Sequence, residues 1–327
     1  MSPTFIDVTN PAAPPRGLEK AVVAIGNFDG LHRGHRAVIG RAQGLAAAMG
    51  RPCAVLTFEP HPADYFAGRR VIFRLTDRDA KAALLARFGL QGMVVMPFDA
   101  ALASLSAEDF VRRILVERLD VAAAVVGYDF HFGAGRRGSP AFLTEAGRRH
   151  GFAVEIVPRI AQDAEGSLDA VSSTATREAL ERGDVEGAAR LLGHPWFVDG
   201  TVIPGRQVGR TLGFPTANIA LDPSCRLRHG IYAVRVAFDG QTHDGVASFG
   251  SRPTFDDGPP LLETFVFGFS GDLYGKTVEV SFMGFIRPEW RFDSVEALVE
   301  RMGEDMREAR DLLARDVPAP ALGARAS

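Results

Sequence analysis

AVVAIGNFDGLHRGHR, residues 21–36, is the stretch from which the fold can be read. The apolar run Ala21, Val22, Val23, Ala24 and Ile25 is cut by Gly26 and Gly30. After Arg33, Gly34 and His35 a helical spacing begins, with Val38, Ile39, Ala42, Leu45, Ala46 and Met49 one, three or four residues apart. The pattern predicts a buried strand, a glycine-bearing turn and a helix. In an open α/β sheet, ligands bind beyond the carboxyl ends of the strands, and a helix N-terminus presents N–H groups and partial positive charge to phosphate. Gly26, Asn27 and Asp29 fall in the turn; His32 and His35 fall at the helix start, three residues apart and so on one face. Neither a Walker sequence nor GxGxxG is present, so the turn is not built to wrap a phosphate chain in glycine amides. Imidazoles at that place suit donation to phosphate oxygens while a nucleotide's α-phosphorus is attacked. By itself the short HxGH pattern suits two surface histidines capping a helix equally well.

The chain around this stretch has 327 residues, enough for two domains, and its 46% apolar and 24% charged residues are a globular composition. No segment approaches the roughly 20 apolar residues that span a bilayer. The opening MSPTFIDVTNPAAPP has no basic region followed by an apolar one, so no secretory signal is expected. A net charge of -3 gives no broad reason to bind nucleic acid or an anionic membrane. Cys53 and Cys225 alone exclude a Cys-rich metal site or a disulfide framework. A soluble cytoplasmic protein with no obligatory protein partner is the expectation.

Downstream of the opening unit, CAVLTF (residues 53–58) reads as a second buried strand running into Glu59-Pro60-His61-Pro62, which leaves His61 at the same carboxyl edge as His32. Helical spacing at Ala80, Leu84, Leu85 and Phe88 ends at Gly89, and GMVVMPF (92–98) is a third strand. Ser106 and Asp109 form a capping-box pattern before Phe110, Ile114 and Leu119. A fourth strand, 122–126, leads to Asp129 and the Arg136-Arg137 pair; Ser139-Pro140 opens another helix, and 152–157 is a fifth strand. Alternating strands and helices predict a doubly wound, mostly parallel sheet. Ser172, Ser173, Thr174 and Arg177 then precede a helix over 178–181 and form a second anion-site pattern, although simple N-capping would use the same serines.

Past a short helix over 184–192 the period changes to alternation. Segments 197–203, 232–238, 245–249, 262–269 and 277–282 read as strands parted by Gly, Pro and Asp turns, with no helices between them. A small antiparallel closed barrel is expected, followed by an amphipathic helix over 294–313. Gly205, Gly209, Arg210 and Gly213 make a loop whose amides could approach phosphates, and Pro215 leads into Thr216 and Asn218, which face one way if the backbone is extended. A hydroxyl and an amide oxygen are hard ligands suited to Mg²⁺ held largely by a nucleotide, and equally ordinary residues of a turn. Glu263, in an apolar strand, either faces the lumen as a general base or faces water.

Seven collinear segments, GNFDGLHRGH, TFEPHP, GYDFHFGAGRRG, SSTATR, GRTLGFPTAN, GVASFGSRPTF and SGDLYGKTVEV, resemble the bifunctional bacterial riboflavin kinase and FAD synthetase family across nearly the whole chain. The resemblance implies a Rossmann-like nucleotidylyltransferase domain over 1–182, which adenylylates FMN to FAD. It implies a riboflavin kinase barrel with a C-terminal helix over 183–327, which phosphorylates riboflavin with ATP and Mg²⁺. By the family pattern, His32 and His35 would stabilise the adenylyl-transfer transition state, and Ser173, Thr174 and Arg177 would hold the triphosphate. His61 and Asp129 would shape the nucleotide and flavin pocket, Thr216 and Asn218 would bind Mg²⁺-nucleotide, and Glu263 would activate the riboflavin hydroxyl. Three positions depart from the pattern: the flap around Gly205, Gly268 in the strand after Glu263, and Thr176 before Arg177. The alternatives are a chain with one live site, a flavin-binding regulator, or a nucleotidylyltransferase of another phosphorylated precursor.

Overall fold

The computed structural model describes residues 4–159, 171–205, 214–250 and 261–315. It divides into two compact units, one of Met1–Ile72 with Asp77–Val171 and one of Phe73–Thr76 with Ser172–Ser327.

The first unit is a six-stranded sheet in the order β1-β4-β3-β2-β5-β6. Its strands are β1 (Ile6–Thr9), β2 (Val22–Ile25), β3 (Cys53–Glu59), β4 (Gly92–Pro97), β5 (Ala123–Gly127) and β6 (Ala153–Val157). Every pairing is parallel. Strands buried on both faces read as unbroken apolar runs, which is why β2 to β5 were legible. Val23, Ile25, Leu56, Val94 and Val126 share one core with Ile114, Leu115 and Leu143, while the intervening Ala24, Val55, Val95 and Val125 are equally buried. The helices are α1 (Arg33–Met49), α2 (Pro62–Ala67), α3 (Arg78–Arg87), α4 (Ala100–Ala103), α5 (Ala107–Asp109) and α6 (Pro140–His150), with wider π-type turns over Phe110–Arg118 continuing α5. The starts of α5 and α6 follow the Ser106 and Ser139 signals read from the sequence, and α3 has a cap at Asp77 that its spacing did not announce. The side chains of Asp77, Ser106 and Ser139 accept from Ala80, Asp109 and Phe142 N–H groups.

The second unit begins with α7 (Ser173–Arg182) and α8 (Val185–Leu192). Its closed antiparallel barrel, in the order β10-β11-β8-β7-β12-β9, consists of β7 (Phe197–Ile203), β8 (Ala217–Ala220), β9 (Gly230–Phe238), β10 (Gln241–Gly250), β11 (Leu261–Val266) and β12 (Thr277–Arg287). Alternate residues such as Ile219, Val234, Phe249, Leu262 and Val280 fill the interior together with Leu180, Leu192 and Trp196. The Trp196 ring stacks on Phe282 with centroids 5.0 Å apart, and its indole N–H donates to the Leu75 carbonyl at 2.9 Å. Helix α9 (Val295–Arg315) buries Ala309 and Leu313 against Ala233.

The two architectures match the sequence expectation, with differences in detail. The short edge strand β1 and the four-residue β8 carried no recognisable alternation. Strand β11 ends at Val266, so Gly268 lies beyond the strand expected to contain it, in the left-handed backbone (φ 66°) that glycine adopts without strain. Thr176, in place of an apolar residue, is fully buried with its hydroxyl donating to the Ser172 carbonyl at 3.0 Å, which satisfies it within the helix.

Candidate active sites

In the first unit the turn between β2 and α1 is tightly determined. Phe28 and Leu31 take left-handed backbone (φ 49° and 43°), uncommon for residues with side chains, and both are buried together with Asp29. Packing thus fixes a turn that local preference would not choose. His32 is the N-cap of α1: its Nδ1 accepts from the His35 backbone N–H at 3.2 Å. A neutral ring that accepts at Nδ1 carries its proton on Nε2, so the cap sets the tautomer. The two imidazoles stack face to face with centroids 3.6 Å apart, and Phe28 lies edge-on to His35 at 5.3 Å. The intervening Gly34 leaves little room for a side chain, since a Cβ there would lie 3.0 Å from the His32 ring.

Beside this turn stands the carboxyl end of β3. His61 caps α2, its Nδ1 accepting from Ala63 N–H at 3.1 Å, and its Nε2 lies 3.2 Å from the Asn27 amide nitrogen. The Thr57 hydroxyl donates to the Asn27 carbonyl at 3.1 Å. The structure therefore brings Asn27, His32, His35 and His61 to one edge of the sheet, with Gly26 at the end of β2. Asp129 is exposed just past β5. Phe130 and Phe132 follow it, stacked at 5.4 Å.

Ser173, Thr174 and Arg177 belong by packing to the second unit. Ser172 caps α7 by accepting from Ala175 N–H at 3.1 Å, leaving Ser173 and Thr174 in the first turn. The Arg177 Nε donates to the Phe73 carbonyl at 2.7 Å, which orients its guanidinium.

On the barrel, Asn218 on β8, Glu263 on β11 and Ser248 on β10 are directly opposed in register. Opposed residues of antiparallel strands share a face. Their neighbours Ala217, Ile219, Leu262, Ala247 and Phe249 belong to the interior, so the three polar residues form a row on the outer face. This decides the orientation that the sequence left open for Glu263: it does not enter the lumen. Asn218 is nevertheless only 4% exposed, because the chain at Gly205 lies against it. A Cβ on Gly205 would come within 2.3 Å of the Asn218 amide nitrogen. That nitrogen donates to the Thr216 carbonyl at 3.4 Å. Phe214 packs edge-on to Phe265, two residues from Glu263 on the same face, at 5.7 Å. Pro215 is exposed, and Gly209, Arg210 and Gly213 lie outside the described residues.

Two functional candidates escaped the sequence reading. Lys81 shows its signal in spacing: it precedes Leu84, Leu85 and Phe88 by three, four and seven residues, so it occupies the apolar stripe of α3. Ser248 lies in a quoted motif but becomes visible only through its register with Glu263.

Two family models match the chain: FAD synthetase over residues 15–175 and riboflavin kinase over residues 192–313. The bifunctional riboflavin kinase/FMN adenylyltransferase of Pseudomonas fluorescens is 42% identical over 90% of this chain and 93% of its own. The protein of the same description from Haemophilus influenzae is 39% identical over 90% and 95%, and that from Escherichia coli 38% over 92% and 95%. Among solved structures, one described as a macrolide-efflux protein from Streptococcus pneumoniae is similar over 94% of this chain and 99% of its own, with a TM-score of 0.81 and 30% identity. With one model on each half and full-length relatives spanning both, the chain belongs to the bifunctional riboflavin kinase/FMN adenylyltransferase family.

Proposed function

We propose that this protein makes FAD from riboflavin in two steps, an ATP-dependent phosphorylation to FMN and an adenylylation of FMN that releases pyrophosphate. The observation that carries this reading is the pairing of two unlike architectures on one chain, each matched by the family model for one of the reactions. Residues 1–182 are assigned to adenylylation and 183–327 to phosphorylation.

For adenylylation, an oxygen of the FMN phosphate attacks the α-phosphorus of ATP, the bond to the β-phosphate oxygen breaks, and pyrophosphate leaves. No covalent nucleophile is needed. His32, protonated at Nε2 by its capping geometry, and the stacked His35 supply donors to the α-phosphate oxygens where charge builds up. Gly26, Asn27, Asp29, His61 and Asp129 shape the nucleotide and flavin pocket, and Ser173, Thr174 and Arg177 hold the triphosphate.

For phosphorylation, the ribityl 5′-hydroxyl attacks the γ-phosphorus, ADP leaves, and Glu263 takes the hydroxyl proton. Its outer-face position directly opposite Asn218 supports this role, since it sets the carboxylate beside the proposed ligand of the nucleotide-bound ion. Gly205, Gly209, Arg210, Gly213 and Pro215 form the nucleotide loop. A magnesium ion fits the donor set. The Asn218 amide nitrogen donates to the Thr216 carbonyl, and the Asn218 amide oxygen and the Thr216 hydroxyl are the two hard ligands proposed for the ion. When bound, Mg²⁺ neutralises phosphate charge.

Among the described residues no helix is long and apolar enough to cross a membrane, and Cys53 and Cys225 are free thiols. A cytoplasmic setting is part of this proposal, with riboflavin, FMN, FAD and ATP as partners and no nucleic acid or membrane.

The test is chromatographic product analysis after incubation with riboflavin, ATP and Mg²⁺. FMN appearing first and FAD later, with ADP and pyrophosphate, is the expected result. Flavin bound without turnover would overturn it in favour of a regulator.

A further inference from the structure

Lys81 is an ammonium inside the first unit, 2% exposed. It donates to the Glu59 carboxylate at 3.2 Å and to the Thr57 hydroxyl at 3.4 Å. An ammonium has donors only, so Thr57 Oγ1 accepts from it and turns its own proton to the Asn27 carbonyl, 3.1 Å away. The direction of this short chain is therefore set by the lysine.

Asn27 is where the chain becomes functional. Its side chain meets His61 Nε2, and its backbone opens the turn that passes through the left-handed Phe28 and Leu31 into the His32 cap. A charge at this depth costs desolvation, and a position in the stripe of Leu84 and Leu85 would be filled for stability alone by an apolar side chain. We infer that Lys81 is a positioning residue for FMN adenylylation: through Thr57 it holds the Asn27 turn, and with it His32, His35 and His61, in the geometry that receives the α-phosphate. The inference rests on the adenylyltransferase reading of this unit.

The test measures FAD formation from supplied FMN and ATP, and FMN formation from riboflavin, in the full-length protein and in Lys81→Met, Lys81→Arg, Thr57→Val and the Lys81→Met/Thr57→Val double variant. Displacement of a turn by a fraction of an ångström lowers kcat by about 10- to 100-fold. Lys81→Met and Thr57→Val are each expected to lose that much kcat for adenylylation, with KM for ATP changed less than threefold. The double variant should be no worse than the poorer single one, because both break one link. Lys81→Arg should recover part of the rate, and kinase activity should stay as in the parent. Unchanged kcat in Thr57→Val, multiplicative losses in the double variant, or a loss confined to KM would each overturn the inference. Should Lys81→Met fail to fold by circular dichroism, Thr57→Val alone decides, since it keeps the Lys81–Glu59 pair. Absence of FAD formation by the parent protein is a different failure, that of the adenylyltransferase reading itself.

Discussion

Asn218 and Glu263 stand directly opposite each other on β8 and β11, on the outer face of a barrel whose interior is sealed with apolar side chains. A buried amide and a half-buried carboxylate side by side on the outer face are hard to explain by packing. They are readily explained by a nucleotide-bound cation next to the hydroxyl to be phosphorylated.

Replacing Asn218 by Ala should lower kcat/KM for riboflavin phosphorylation by about 10- to 100-fold and raise the Mg²⁺ concentration needed for half-maximal rate. FAD formation from supplied FMN should be unaffected. A Mg²⁺ titration of both half-reactions checks this, and an unchanged midpoint would remove Asn218 from the metal site.

The stability of the second unit should depend on Asp305. Arg287 on β12 makes a bidentate pair with it, both distances 2.7 Å, with both side chains nearly fully buried. Arg301 adds a third guanidinium contact to the same carboxylate, and Trp290 lies 4.7 and 4.9 Å from the two guanidinium carbons. Asp305→Ala leaves the buried Arg287 uncompensated and should destabilise by about 3–5 kcal/mol. Denaturant unfolding followed by tryptophan fluorescence measures it. A change below about 1 kcal/mol would show that the network is neutral.

The two cysteines should be poor nucleophiles in the folded protein. Burial pushes the Cys53 thiol up to about 12 and the Cys225 thiol up to about 11. At pH 8 the thiolate fraction is then about one in a thousand or less. A thiol titration should find almost no fast reaction in the native protein and two equivalents after denaturation. Rapid native labelling of either would contradict its raised thiol pKa.

The legibility of this sequence followed the range of the interactions involved. The parallel sheet was plain because strands buried on both faces are continuous apolar runs, and two helix starts were plain because Ser106 and Ser139 cap within three residues of themselves. The strand β8 was obscured because Thr216 and Asn218 carry turn propensity, and cross-strand pairing to both β7 and β11 makes the segment extended. Lys81 was passed over because a charge on a helix usually marks the solvated face, and Thr57 and Glu59, which reverse that, lie on another element. Likewise α7 shows in its sequence that it buries Ala179 and Leu180, but not that it does so within the barrel's core. Residues of the histidine site were found through local spacing, whereas the supports of that site are long-range and were not.

FMN made at the Glu263 site should reach the His32–His35 site by diffusion, so His35→Ala and Glu263→Ala are each incubated alone and then mixed with riboflavin, ATP and Mg²⁺. His35→Ala should accumulate FMN without FAD. Glu263→Ala should leave riboflavin unphosphorylated yet convert supplied FMN to FAD. The mixture should make FAD from riboflavin, after a lag set by FMN release. Loss of both reactions in either variant, or a mixture that forms FMN but no FAD, would contradict the account.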